Sequence, residues 1–149
     1  MNATAAVSAY KDVGIETSVL GADPHKLTSM LFEGALMSIS NARHDMVDRN
    51  HAAKGKSISK AIAIIGEGLN ASLDRKAGGE LAQNLSSLYD YMVGRLVQAN
   101  ANNDVAVLDE VSALLGELKG AWDSIRPQVV KTAAWPESVS DAPRRYVSA

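Results

Sequence analysis

Cysteine is absent from this 149-residue chain. Its absence excludes disulfides, thiolate metal sites and cysteine nucleophiles. Aromatic residues are scarce, at 5%, so a core must be built mainly from Leu, Ile, Val, Met and Ala. Basic residues do not cluster beyond Arg144-Arg145, and the formal net charge is −2. Both observations argue against a large electrostatic footprint for nucleic acid and against a polybasic membrane anchor. Long hydrophobic runs are missing too. The longest, Ala61–Ile65, falls far short of the ~20 residues a membrane-spanning helix needs. The opening residues, MNATAAVSAYK, lack the positive start and apolar stretch of a secretory leader. The expectation is a soluble, unprocessed chain without membrane insertion, and the lack of cysteine is compatible with a cytosolic setting.

What is present reads as globular. Apolar residues make up 46% and charged residues 21%, a composition that suits one domain with a single core. Residues 1–22 are predicted to form a mobile amino-terminal arm and cap segment, with Tyr10, Val13, Ile15, Val19 and Leu20 interrupted by Gly14 and Gly21. Residues 23–126 carry four helical patterns, and residues 127–149, with Pro136, Pro143 and an isolated Trp135, are expected to be extended or disordered.

Asp23-Pro24 opens the first helix, since Asp caps free amides and Pro fits the first helical position. Leu27, Met30, Leu31, Ala35, Ile39, Ala42 and Met46 trace its core stripe to a fade near Asn50. The second spans Ala52 to Asp74 through Ile58, Ile62, Ile65, Leu69 and Leu73, with Gly66 and Gly68 as poor helix formers inside it. Gly78-Gly79 ends that hairpin, and the third helix runs from Glu80 to Asn102 on Leu81, Leu85, Leu88, Met92 and Leu96. The fourth follows the Asn102-Asn103-Asp104 turn, keeps a heptad through Leu108, Val111, Leu115, Leu118, Trp122 and Ile125, and stops at Pro127. Short connections make neighbours antiparallel. The fold class predicted is all-α: an elongated antiparallel four-helix bundle with a short amino-terminal cap segment.

Catalytic chemistry has little to stand on. His51-Ala52-Ala53-Lys54-Gly55 resembles the His-x-x-Lys-Gly phosphoacceptor motif of histidine phosphotransfer domains, which makes a four-helix signalling module using His51 the alternative reading. Against it, Asp48-Arg49-Asn50 precede the histidine and read as a helix junction, not mid-helix. His25, just inside a helix start, reads as a neutral surface residue, and His44 as part of a polar face. No Glu-x-x-His pattern supports a di-metal site in a bundle. The expectation is a protein that is not an enzyme and has no cofactor.

Apolar surface in excess of the core is more informative. A bundle helix needs an apolar arc of roughly 100°, and Phe32, Leu36, Ala61, Ile64, Tyr91 and Val93 widen it. Tyr89 and Tyr91 lie about 200° apart on a helical wheel, so they cannot both face one partner helix. Well-filled core and an apolar groove for a partner segment both remain open for these residues.

The order and spacing of residues from Tyr10 to Ile125 resemble the FliS family. The shared pattern includes Asp23-Pro24-His25-Lys26-Leu27 with Met30-Leu31-Phe32-Glu33-Gly34, then Ser59-Lys60-Ala61-Ile62 with Ile64-Ile65. It continues through Gly78-Gly79-Glu80, Asn84-Leu85 and Leu88-Tyr89-Asp90-Tyr91-Met92, and closes with Leu96, Ala99-Asn100, Glu110-Val111, Ala121-Trp122 and Ile125. The resemblance implies a cytoplasmic export chaperone that holds the carboxy-terminal segment of flagellin, keeps it from polymerising and delivers it to a component of the flagellar export gate. It implies partner binding by Leu31, Phe32, Leu36, Ile58, Ile62, Ile65, Tyr89, Tyr91 and Met92, with Tyr10, Val13 and Ile15 as a movable cover. Self-association is left open.

Overall fold

The computed structural model describes residues 23–125. The proposed cover residues Tyr10, Val13 and Ile15, and the tail with Trp135, lie outside the described residues. Among those described there are four helices and no strand, which bears out the all-α bundle.

Helix α1 spans Pro24–Val47. The Asp23 side chain accepts a hydrogen bond from the Lys26 amide at 2.7 Å, satisfying one of the amides that a helix start leaves without a partner. At the far end the Asn50 amide donates to the Asp45 carbonyl at 2.8 Å and the Arg49 amide to the Met46 carbonyl at 3.2 Å. This pair of bonds is a Schellman motif, with Arg49 at φ 60° in the left-handed position that glycine usually takes.

Helix α2 begins at His51, one residue earlier than the sequence predicts, because Asn50 caps it through the Ala53 amide at 3.2 Å. Its α-helical part ends at Ala63, and Ile64–Asn70 continues as π-helix. This replaces the α-helix expected as far as Asp74. Gly66 and Gly68 weaken α-winding there by ~1 kcal/mol each relative to Ala. The looser turn lets the consecutive Ile64 and Ile65 both reach full burial.

Helix α3 spans Arg75–Asn102 and is capped by Asp74 through the Ala77 amide. It therefore starts before Glu80, and the glycine pair falls inside it. Gly79 breaks the winding at φ 53°, ψ −129°, so the first turn is set off from the remainder. Asn103, at φ 52°, turns the chain with the Asp104 amide donating to the Ala99 carbonyl at 3.1 Å. Asp104 then caps α4, Val105–Ser124.

α1 packs on α2 and on α4, while α3 packs on α4 and on the π-helical part of α2. The helices thus close in a ring in chain order. α1, at 24 residues, is about 36 Å long at 1.5 Å per residue. Leu31, Phe32, Ile39, Ile58, Ile64, Ile65, Tyr89, Met92, Leu96, Leu108, Leu115 and Trp122 fill one continuous core.

The ring is closed by a clasp between its first and last helices. The His25 and Trp122 rings stack 4.7 Å apart with planes within 8° of each other. The Trp122 indole donates to the His25 carbonyl at 2.9 Å, and His25 Nε2 lies 2.7 Å from the Trp122 carbonyl, to which it donates. His25 is buried, not at the surface as its position in a first helical turn implies. The reason is tertiary: Pro24 starts the helix where α4 ends, and the Trp122 ring lies over the imidazole.

Two stability effects follow. Trp122→Phe keeps an aromatic ring but removes the indole hydrogen bond to the His25 carbonyl and opens a void; a loss of about 2–3 kcal/mol is expected in chemical denaturation. Gly79→Ala forces a Cβ into a conformation that L side chains rarely adopt, with an expected loss of about 1–3 kcal/mol in the same measurement.

Candidate functional site

The residues the sequence nominates divide into two sets. Leu31, Phe32, Ile58, Ile65, Tyr89 and Met92 are all within the closed core. They shape the bundle from inside. Leu36 and Ile62 are half-buried and pack against that core from its margin.

Tyr89 and Tyr91 separate as their helical phase requires. Tyr89 is 1% exposed and Tyr91 48% exposed. Burial pushes the Tyr89 hydroxyl well above the ordinary tyrosine range, and that hydroxyl meets no hydrogen-bond partner among the described residues. Tyr91 reaches across to α4, where its hydroxyl donates to Glu110 Oε2. Arg95 donates to the other oxygen of the same carboxylate from Nε at 3.0 Å and from Nη2 at 2.7 Å. The Tyr91 hydroxyl and the Arg95 guanidinium together hold Glu110 below the usual carboxylate range, and Glu110 in turn raises the Tyr91 hydroxyl. This outer network ties α3 to α4 beside the core.

The seam between α2 and α3 is different in character. Ser57 donates to Asp45 at 3.5 Å and so marks the flank of α2 that faces α1. Ile62, five residues further on, lies on the opposite flank. The Asn70 amide donates to Asp90 at 3.3 Å, marking the flank of α3 that faces α2. Val93 and Val97 share that flank at i+3 and i+7 from Asp90. Val97 is 56% exposed, while Ile62 and Val93 are half-buried. Three branched apolar side chains thus border this seam, and Gly55, Gly66 and Gly94 leave open space where a Cβ would stand. Sequence periodicity places Ile62 in the core stripe of its helix and Val93 among the residues that widen the apolar arc. Val97 escaped notice because it falls just past the edge of that arc.

On the seam between α1 and α4, Ser29 donates to Asp123 at 2.8 Å, and Lys119 donates to the same carboxylate at 2.6 Å. Burial pushes Asp123 up, but the hydrogen bonds from Lys119 and Ser29 outweigh it and hold the group low. These residues, with His25, were missed as a cluster because they are 94 and 97 residues apart in sequence. The one available signal was that Asp23–Leu27 and Ala121–Ile125 both belong to the family pattern.

No group of three or more His, Asp or Glu side chains among the described residues is placed to hold a metal ion. No described helix is long and apolar enough to cross a membrane. His51 is exposed at the first position of α2, so the helix junction read from the sequence is borne out.

Fold and surface define a class: a four-helix bundle with a closed core and partly apolar seams. The family follows from comparison with known proteins. The model for "Flagellar protein FliS" matches residues 6–129. The flagellar secretion chaperone FliSB of Pseudomonas aeruginosa is 50% identical over 125 residues, covering 84% of this chain and 98% of that protein. The flagellar secretion chaperone FliS of Salmonella typhimurium is 45% identical over 128 residues, covering 86% and 95%. That of Escherichia coli K12 is 46% identical over 122 residues, covering 82% and 90%. The chain belongs to the FliS family of flagellar secretion chaperones.

Tyr89→Phe removes a buried hydroxyl that has no partner among the described residues. It is expected to raise stability by about 1 kcal/mol, read as a higher denaturation midpoint; a loss of stability would reveal a partner for the hydroxyl. The same variant has a signature in alkali. The folded value lies above the ordinary tyrosine value of 10.0, so the unfolded chain ionises first as pH rises. The stability tied to Tyr89 is full below about pH 10 and is lost above it. In Tyr89→Phe that part of the alkaline loss should vanish.

Proposed function

We propose that this chain binds the carboxy-terminal segment of flagellin along its apolar seams, prevents premature polymerisation and delivers the client to the flagellar type III export gate. It works in the cytoplasm and catalyses nothing. The observation that carries the reading is the row Ile62, Val93 and Val97 along the α2–α3 seam, outside a core that is already closed. Within a FliS-family bundle such side chains are free to receive a partner, whereas Leu31, Phe32 and Tyr89 are already committed to packing.

The physical logic is coupled folding. A disordered client loses conformational freedom when it is held, and extended apolar contact offsets that cost. A long shallow seam supplies contact over many residues without enclosing the client, which suits a segment that must later be released. The cover formed by Tyr10, Val13 and Ile15 belongs to this proposal as a competitor for the same surface. Leu36, at the α1–α4 margin, and Tyr91, at the α3–α4 margin, are the further surface contacts from the nominated set.

Titration with a peptide of flagellin's carboxy-terminal segment tests the reading. One-to-one binding with a large negative heat-capacity change is expected. Val97→Asp should weaken binding at least about tenfold while changing stability by no more than about 0.5 kcal/mol, as is usual for an exposed position. Absence of binding at tens of micromolar, about −6 to −7 kcal/mol, would sink the client assignment.

A further inference from the structure

At the end of the bundle where the α1–α2 and α3–α4 turns meet lies an open hollow of about 320 Å³, lined by Met46, Arg49, His51, Asn103 and Val105. We propose that this hollow is a carboxylate site that receives the free chain end of the client. The inference rests on the reading above that the client is held by its carboxy-terminal segment, because such a segment brings one free α-carboxylate.

Arg49 puts one guanidinium in the wall of the hollow, with the His51 imidazole beside it. Arg49 and His51 are exposed, and among the described residues neither side chain has an ion-pair or hydrogen-bond partner. Two acids close in sequence have partners of their own. Asp48 pairs with His44 at 3.2 Å, and the Asp104 side chain caps α4 through the Val107 amide. Behind the wall stands Lys54, one helical turn after His51. It is 6% exposed, and its ammonium donates to the Asn100 carbonyl at 3.0 Å and to Asn103 Oδ1 at 2.5 Å. No carboxylate among the described residues neutralises it. A buried ammonium held only by neutral acceptors leaves positive charge facing the turn. Because Lys54 takes the Asn103 amide oxygen, the amide NH2 is what Asn103 offers to a ligand.

The backbone points the same way. Arg49 and Asn103 are the two described non-glycine residues with positive φ, and both line the hollow. Each occupies the turn position after a helix where glycine fits without strain. Asn is a usual substitute there; Arg is not. An arginine held against backbone preference at the mouth of a hollow is a feature that function explains and folding does not.

Size and lining separate a chain end from a bare ion. At roughly 30 Å³ per water, the hollow is about ten waters in volume, too large for one inorganic oxyanion. Met46 and Val105 add an apolar surface beside the Arg49 guanidinium. A terminal residue fits both parts, with its carboxylate on the Arg49 fork and its side chain against Met46 and Val105.

The test compares two forms of the client's carboxy-terminal peptide, one ending in the free acid and one in the amide, titrated into the full chain. Wild type is expected to bind the acid about tenfold more tightly than the amide, the scale of a charge-assisted contact. Arg49→Gly places the favoured residue at φ 60°, so the bundle keeps its fold. In that variant the acid should bind no better than the amide, and the amide affinity should stay within about twofold of wild type. Equal affinity of wild type for acid and amide would overturn the site while leaving the client assignment standing. So would an acid preference that survives Arg49→Gly. Failure of wild type to bind either peptide would overturn both.

Discussion

The clasp between His25 and Trp122 is the contact on which the rest of the bundle depends. Three tight turns already hold successive helices side by side, because each turn is too short to let its helices part. No turn joins α1 to α4. Only tertiary contact closes that side, and its most specific part is a stacked pair with reciprocal hydrogen bonds to backbone carbonyls. Apolar packing between α1 and α4 is non-directional, whereas the clasp fixes the relative height of the two helices. Ser29, Asp123 and Lys119 extend that closure along the same seam.

A closed ring has a consequence for binding. With Leu31, Phe32, Ile58, Ile65, Tyr89 and Met92 consumed by the core, the described bundle offers the proposed partner the margins of its helices. Those margins are unlike one another. The α3–α4 margin is tied by Tyr91, Arg95 and Glu110, and the α1–α4 margin by the clasp and its neighbours. The α2–α3 margin keeps Ile62, Val93 and Val97 beside glycines with open space around them. The π-helical segment contributes here as well. By turning both Ile64 and Ile65 inward, it leaves Gly66 toward the outside. A seam of this kind gives contact area without enclosure, as the proposed holding and release of a client requires.

The order of the helices, the stripes they bury and the separation of Tyr89 from Tyr91 were legible in sequence because each depends on local periodicity. The nomination of Leu31, Phe32 and Met92 as contact surface was less legible. A wide apolar arc looks the same on a helical wheel whether three neighbours or two neighbours and a client cover it. His25 illustrates the opposite limit. Its place in a first helical turn points to the surface, and nothing local announces that a tryptophan 97 residues away lies over it. Helix ends were legible where a side chain caps an amide, as at Asp23 and Asp104. At Ile64 and Gly79 the geometry answers to packing, and the boundaries moved.

The sequence by itself determined an all-α bundle of the FliS family, since heptad spacing, capping residues and turns act over a few residues at a time. The tertiary structure alone decided which apolar side chains close the core and which border a seam. It alone brought His25 onto Trp122 and gathered Arg49, His51 and Asn103 around one hollow above Lys54. The physical reason is that burial and charge compensation belong to pairs of residues from different helices. Whether a side chain is packed, paired or left to meet a partner is settled only when those helices are in place.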